Sequence, residues 1–262
     1  MPPILHPELP FKVWMDSRLA RLPGIVPMPA ESWLVPDAAY GPQMAERERL
    51  IAGRPDQVHA LLPEASTAAE ELYRTVAARL PGMGFVLRDG VWTCPDGRRV
   101  ADDPGRALIT LGKLVQDDLC LLQPGAMGEH VLTGAILCFP AGWTLTEKIG
   151  RPLLRIHKPV ADYSPDLARR VQRLFDAIRP GMPLMRGNAL AYADPGLYQP
   201  RREGVPRMPP ADSPGFIRSE WQGLVRLPES GAVVFSIRTY VVPRISLSQA
   251  EELAFAAWCA RH

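Results

Sequence analysis

Apolar and polar positions along the chain divide it into short alternating runs and helical stripes. Helical spacing predicts helices over GPQMAERERLIAG (41–53) and STAAEELYRTVAARL (66–80), the second with Leu72, Val76 and Leu80 on one face. Thr67 and Glu70 have the spacing of a capping box at its start. GFVLRDGVWTC (84–94) reads as a hairpin, because Asp89-Gly90 tolerates the positive φ of a tight turn. A helix is predicted over 104–116, ahead of the apolar run DLCLL, and HVLTGAILCF (130–139) is strand-like. TLTEKIG (144–150) opens with another Thr-x-x-Glu box, and SPDLARRVQRLFDAI (164–178) is a helix with Ser164 as N-cap and Pro165 at its first position. LMRGNALAYAD, GFIRSEWQGLVRLP and GAVVFSIRTYVVP then read as three strands, the last two joined as a hairpin at Glu229-Ser230. SLSQAEELAFAAWCARH is the last helix.

Short strands and helices without βαβ alternation predict an α+β fold with an antiparallel sheet. Residues 1–40 are proline-rich and carry Phe11, Trp14, Trp33 and Tyr40, which predicts an extended segment lying over a core. The expected organisation is one compact unit: an extended and helical layer over 1–80, a core over 81–245 and a C-terminal helix over 246–262.

Composition narrows the function classes. The chain is 47% hydrophobic and 22% charged, with 30 Lys+Arg against 28 Asp+Glu mixed along it. No basic stripe favours nucleic acid or a membrane surface. The N-terminus lacks a charged segment followed by an apolar one, and no apolar run of about 18 residues occurs, so a soluble, cytoplasmic protein is expected. Cys94, Cys120, Cys138 and Cys259 are far apart without CxxC or CxxCH, which argues against a zinc clip, an iron–sulfur cluster or covalently attached haem. Buried reduced thiols are the expectation.

GxSxG, HExxH, P-loop and GxGxxG signatures are missing. The stretch RPLLRIHKPVADY (151–163) sets His157 after Leu153, Leu154 and Ile156. On pattern alone it reads either as a core histidine with both nitrogens satisfied or as a ligand. The chain has five histidines, with no HxH or HxxxH pair, so a site with several protein ligands is hard to assemble. Haem iron needs only one.

LVQDDLCLL, GAILCFPAGWTLTEKIGRPLLRIHKPVADY and RSEWQGLVRLPESGAVVFSIRTYVVP, together with WLVPDAAYGPQMAERERLI (33–51) and DPGLYQP (194–200), resemble the haem-dependent oxidative N-demethylases, specifically their haem-binding α-subunit. The likeness runs from about residue 31 to 243. It implies a PAS-like antiparallel sheet flanked by helices, with an N-terminal helical extension, holding haem b over the core of residues 81–245. It also implies oxygenase action on a small secondary amine, with release of formaldehyde and a primary amine. Carried onto this chain, the histidine of the family's I-H-x-P-V motif is His157, the expected proximal haem ligand.

Propionates call for cations with a fork that matches a carboxylate, and Arg151, Arg155 and Arg238 are the candidates. The family's R-x-N-W element stands here as Arg186-Gly187-Asn188-Ala189, without the aromatic residue. Its R-x-E-R-Q element stands as Arg218-Ser219-Glu220-Trp221-Gln222, with Trp in place of the second Arg. Both departures point to a reshaped pocket. On a strand, Arg218, Glu220 and Gln222 share one face. A hairpin loop of two or four residues puts Phe235, Ile237 and Thr239 on that same face, whereas three residues would reverse it. Glu220 is then the candidate for amine recognition, with Arg218 and Asn188 beside it. The rival reading is an internal Arg–Glu pair on a solvated face. Asp117 and Asp118 cannot point the same way on a strand and read as structural partners for arginine.

An oxygenase also needs electrons, and this chain carries no flavin, nicotinamide or iron–sulfur signature. The resemblance implies a separate reductase subunit with FMN and a [2Fe–2S] cluster, fed by NADPH, and O₂ as co-substrate. Two alternatives stay open: a non-catalytic PAS-like protein that binds or senses a gas or another small molecule, and a haem oxygenase acting on a larger amine of specialised metabolism.

Overall fold

The structure is a computed structural model that describes residues 2–20, 24–126, 128–157, 165–206 and 215–260, with His157 and residues 165–168 described by their backbone alone. In chain order, β1 (Ile25–Pro27), α1 (Tyr40–Gly53), α2 (Pro55–Val58), β2 (His59–Leu61) and α3 (Ser66–Ala77) lead into β3 (Val86–Arg88), β4 (Val91–Thr93) and β5 (Arg99–Ala101). There follow α4 (Ala107–Leu114), β6 (Asp118–Pro124), β7 (His130–Ile136), α5 (Leu145–Lys148), α6 (Leu153–His157) and α7 (Pro165–Ala177). The chain then runs through β8 (Leu184–Tyr192), β9 (Phe216–Arg226), β10 (Val233–Pro243) and α8 (Gln249–Cys259).

The fold is α+β, as the strand and helix pattern predicts. Seven strands form one antiparallel sheet in the order β1-β8-β9-β10-β6-β7-β2, flanked by helices, and β3-β4-β5 make a small second sheet. Two of the seven come from the N-terminal region: β1 pairs with β8 and β2 with β7, closing the edges of the sheet. Each is three residues long, too short to display a period, so the sequence reads this region only as extended chain and helices. Asp89 and Gly90 take φ of 50° and 69° in the β3–β4 turn, as the hairpin reading requires.

Two of the expected helix starts differ in detail. Ala65, not Thr67, occupies the N-cap of α3, and the Ser66 hydroxyl donates back to the Pro63 carbonyl, because a short 3₁₀ turn over Pro63–Ala65 feeds straight into the helix. Thr144 is the N-cap of α5, yet its hydroxyl donates to the Glu147 carboxylate and caps no backbone N–H. Ser164, the expected cap of α7, lies outside the described residues.

The β9–β10 register settles which side chains share a face. Leu227 N–H donates to the Ala232 carbonyl at 2.9 Å, so the loop is four residues, Pro228 to Gly231. Three successive cross-strand rows result: Leu184, Leu224, Phe235 and Cys120; then Arg186, Gln222, Ile237 and Asp118; then Asn188, Glu220 and Thr239. Opposed residues of an antiparallel pair point to the same side. A bulge between Leu121 and Leu122 keeps the β7 residues Ala135 and Leu132, an odd spacing apart, opposite Cys120 and Leu122.

The larger core fills the other face, where Trp14, Trp33, Leu72, Leu111, Leu119 and Phe255 are buried together. Asp118 and Arg47 form a fully buried ion pair at 2.6 Å, with the Cys138 and Phe139 N–H groups donating to the same carboxylate. Asp117 serves a different arginine, Arg238, so the two adjacent carboxylates are indeed structural partners. Cys94, Cys120 and Cys138 are buried free thiols. Cys259 is exposed, contrary to expectation, because α8 buries the stripe through Phe255 and Trp258. No helix among the described residues is long and apolar enough to cross a membrane.

Candidate active site

A cavity of about 160 Å³ lies between the sheet and the α6–α7 region. Cys120, Leu224 and Phe235 line it from the sheet, Ile156 from α6, and Leu174 and Phe175 from α7. These are the first-row positions that period-two alternation sends to one side, facing apolar residues of α6 and α7. Burial pushes the Cys120 thiol well above its ordinary pKa, so it behaves as an apolar wall residue.

One cation belongs to this wall. Arg186 lines the cavity, and its Nε is buried with no hydrogen-bond partner among the described residues. Burial lowers its pKa from the usual arginine value, and the charge of Glu220 works against that shift. Ile25 pairs with Arg186 and lines the same cavity, so β1 covers this edge of the sheet.

Glu220 stands one row away from Arg186. Its Oε2 accepts from Gln222 Nε2 at 2.8 Å, and its Oε1 lies 3.5 Å from Arg218 Nε. Arg218 donates further to the Leu197 and Phe139 carbonyls and to Thr239 Oγ1, which fixes the guanidinium in place. Arg218, Glu220 and Gln222 are 3%, 6% and 7% exposed, so the solvated-face reading does not hold. Asn188 sits directly opposite Glu220, its Oδ1 accepting the N–H of Ala189. The expected trio Arg218, Glu220 and Asn188 is thus brought together, and Arg186 joins it.

The other expected residues fall elsewhere. Arg238 faces away from Glu220 and is buried in a network with Asp117 Oδ2 (2.8 Å from its Nε), Asp37 and the Val35 carbonyl. Burial opposes its charge, and Asp117 and Asp37 more than offset that. Arg155 makes a two-point pair with Glu203 at 3.0 and 2.9 Å, and together with Lys148 it holds the Glu203 carboxyl down at about 2. Arg151 is exposed. His157 ends α6 immediately after Ile156, but its side chain lies outside the described residues. A larger open cavity of about 340 Å³ on the opposite face is lined by Asp37, Asp117 and Arg238, with both carboxylates ion-paired to that one guanidinium.

Residues 24–257 match the family described as haem-dependent oxidative N-demethylase, alpha subunit-like. The chain belongs to that family. No curated protein matches it.

Family membership brings haem into question, and the residues of the cavity fit the group chemically. An apolar wall with one guanidinium that has no hydrogen-bond partner at Nε among the described residues suits a flat apolar ring system bearing carboxylates. Among the described residues no three His, Cys, Asp or Glu side chains gather to hold a bare metal ion, a demand that haem does not make. The cavity is smaller than the roughly 300–1,000 Å³ of most small-molecule sites, so its lining matches haem in chemistry and not in size.

The two departures from the N-demethylase motifs do not reshape this cavity, contrary to the sequence expectation. Ala189 is fully buried on the opposite face, with its carbonyl accepting from Trp258 Nε1 at 2.9 Å. Trp221 faces the same way, with its ring edge-on to Phe11 at 5.2 Å and its Nε1 directed at Met28 sulfur. Both lie between Glu220-facing positions, so strand alternation sends them away from the cavity. Arg186 belongs to a quoted motif yet received no role from sequence. Its signal is a buried Nε with no hydrogen-bond partner among the described residues, which only assembled strands reveal.

Proposed function

We propose that this chain is a haem-dependent oxygenase that removes an N-methyl group from a small amine. The observation that carries the reading is the apolar cavity beside α6, walled on the sheet side by Arg186, with Glu220 one strand row beyond that arginine and ion-paired to Arg218. The five central strands run β7-β6-β10-β9-β8; numbered in chain order this is 2-1-5-4-3, which supports a PAS-like sheet.

Haem b supplies, when bound, the O₂ and one-electron chemistry that no side chain offers. His157, at the end of α6 one residue beyond a cavity-lining position, is the residue that would hold its iron. The Glu220 carboxylate, held by Gln222 and Arg218, accepts the N–H of the amine, and Asn188 flanks it. The apolar wall keeps water from the reacting methyl group. Overall, the N-methyl carbon leaves as formaldehyde and the amine is released one methyl shorter. One oxygen atom of O₂ enters formaldehyde and the other becomes water, which takes two electrons and two protons. Those electrons come from a separate reductase subunit carrying FMN and a [2Fe–2S] cluster and oxidising NADPH.

The test is the visible absorption spectrum of the purified chain, produced with haem supplied, compared with His157→Ala. A haem band present in the native chain and lost or displaced in the variant is expected. No haem in the native chain, or identical spectra, overturns the reading.

A further inference from the structure

We propose that Arg186 receives a carboxylate carried by the ligand of the apolar cavity, so that the site takes an apolar acid. This deepens the haem-dependent reading and depends on it only for which molecule brings the acid. The charge balance of the wall leads there. Arg186 and Arg218 are two cations near one anion, Glu220, and that anion already accepts from Gln222 and lies in ion-pair contact, 3.5 Å, with Arg218 Nε, which itself makes no hydrogen bond among the described residues. Glu220 therefore neutralises one guanidinium and leaves the other in excess.

A buried charge without a partner costs several kcal/mol, on the order of what a whole domain can spare. It persists where a ligand supplies the opposite charge. Arg186 meets that description at one atom: the residue as a whole is partly buried, but its Nε is buried with no hydrogen-bond partner among the described residues, the side chain lines an apolar cavity, and β1 covers the neighbouring edge. A single excess positive charge matches a monoanion. The planar fork of guanidinium matches a carboxylate at two points. A phosphate would bring more charge and more acceptors than one free arginine satisfies. An acid on Arg186 also releases Glu220 from the second cation and leaves its carboxylate available to an amine. Two molecules could deliver the acid: haem through a propionate, or a separate substrate that is itself an acid.

The experiment uses the full chain and Arg186→Met, with two matched pairs of probes. Benzoate against benzamide differs in charge at nearly constant shape, and haem against haem dimethyl ester differs in whether the propionates are free. Affinity is read by titration and stability by thermal melting. The native chain should prefer benzoate over benzamide by about tenfold or more, the worth of one charged hydrogen-bonded contact, and Arg186→Met should lose that preference. The variant should melt no lower than the native chain, because a thioether of similar length replaces an uncompensated charge.

If the native chain also prefers haem over the diester and the variant does not, the acid is a propionate. If both haems bind alike to both chains and benzoate keeps its preference on the haem-loaded native chain, the acid belongs to the substrate. Binding of neither haem with the benzoate preference intact defeats the haem reading and leaves Arg186 as a carboxylate receptor. Lack of charge preference in both pairs, or a preference that survives in Arg186→Met, overturns the proposal. So does a variant that melts several degrees lower and is restored by Arg186→Lys, since that marks a structural cation.

Discussion

Arg186 and Gln222 stand directly opposite each other on β8 and β9, and each holds a buried polar atom with no hydrogen-bond partner among the described residues, Nε on the first and Oε1 on the second. Buried polar groups are nearly always paired in native proteins. The two stand side by side, one donor and one acceptor, at the edge of the cavity that Arg186 lines, where the proposed ligand would meet them. The acceptor on Gln222 is suited to an amine N–H, and the donor on Arg186 to an acid.

Gln222→Leu removes the unsatisfied acceptor together with the hydrogen bond to Glu220. These effects oppose each other, so stability should change by no more than about 1 kcal/mol. Affinity for dimethylamine, read as a spectral shift of the haem-loaded chain, should fall several-fold. An unchanged affinity would detach Gln222 from the amine.

Glu220→Ala should lower amine-dependent formaldehyde release by on the order of 10–100-fold, the worth of one charged hydrogen bond, with the haem band retained. Arg218 keeps its three oxygen partners at Leu197, Phe139 and Thr239, which offsets part of the roughly 3–5 kcal/mol cost of removing its buried anion, and retention of the haem band checks that the fold survives. Normal turnover in this variant would remove Glu220 from the substrate site.

Arg47→Met strands the Asp118 carboxylate at full burial, with only two backbone N–H groups to hold it. Urea unfolding should show a loss of about 3–5 kcal/mol, and the double variant Arg47→Met with Asp118→Leu should recover much of it. A double variant no better than the single one would show that the carboxylate organises the Cys138–Phe139 turn independently of the arginine.

Burial holds His130 below the usual imidazole pKa against the hydrogen bond from Gln172, and it lowers His59 as well, with Arg106 adding to the effect. As pH falls past the unfolded value of about 6.5, the unfolded chain gains protons that the folded one refuses. Stability from these groups is therefore complete above that pH and declines as pH drops toward their lower folded values. His130→Gln should flatten the stability profile between about pH 6.5 and 5, as followed by melting temperature. An unaltered slope would place the acid sensitivity elsewhere.

Trp221→Ala removes a ring packed on Phe11 and Met28, on the face away from the cavity. A loss of about 2–3 kcal/mol is expected from truncating a partly buried aromatic, with the haem spectrum and amine affinity unchanged. Altered amine affinity at constant stability would return Trp221 to the substrate site.

Strands β3, β4, β7, β8, β9 and β10, the main helices, the Asp89-Gly90 turn and the shared face of Arg218, Glu220 and Gln222 were determined by the sequence alone, because 3.6- and two-residue periods and turn φ angles are local properties of the backbone. The family likeness was legible for the same reason, as ordered strings of residues. The edge strands β1 and β2 were not, since three residues carry no period and form only when a neighbouring strand offers its free groups. Nor was the choice among arginines. Arg238 is claimed by Asp117 and Asp37, Arg155 by Glu203, and Arg186 by no hydrogen-bonding partner among the described residues. Each pairing joins residues about 50 to 200 positions apart in the chain. Whether a charge is satisfied depends on what the assembled fold brings within a few ångströms of it, and only the tertiary structure decides that.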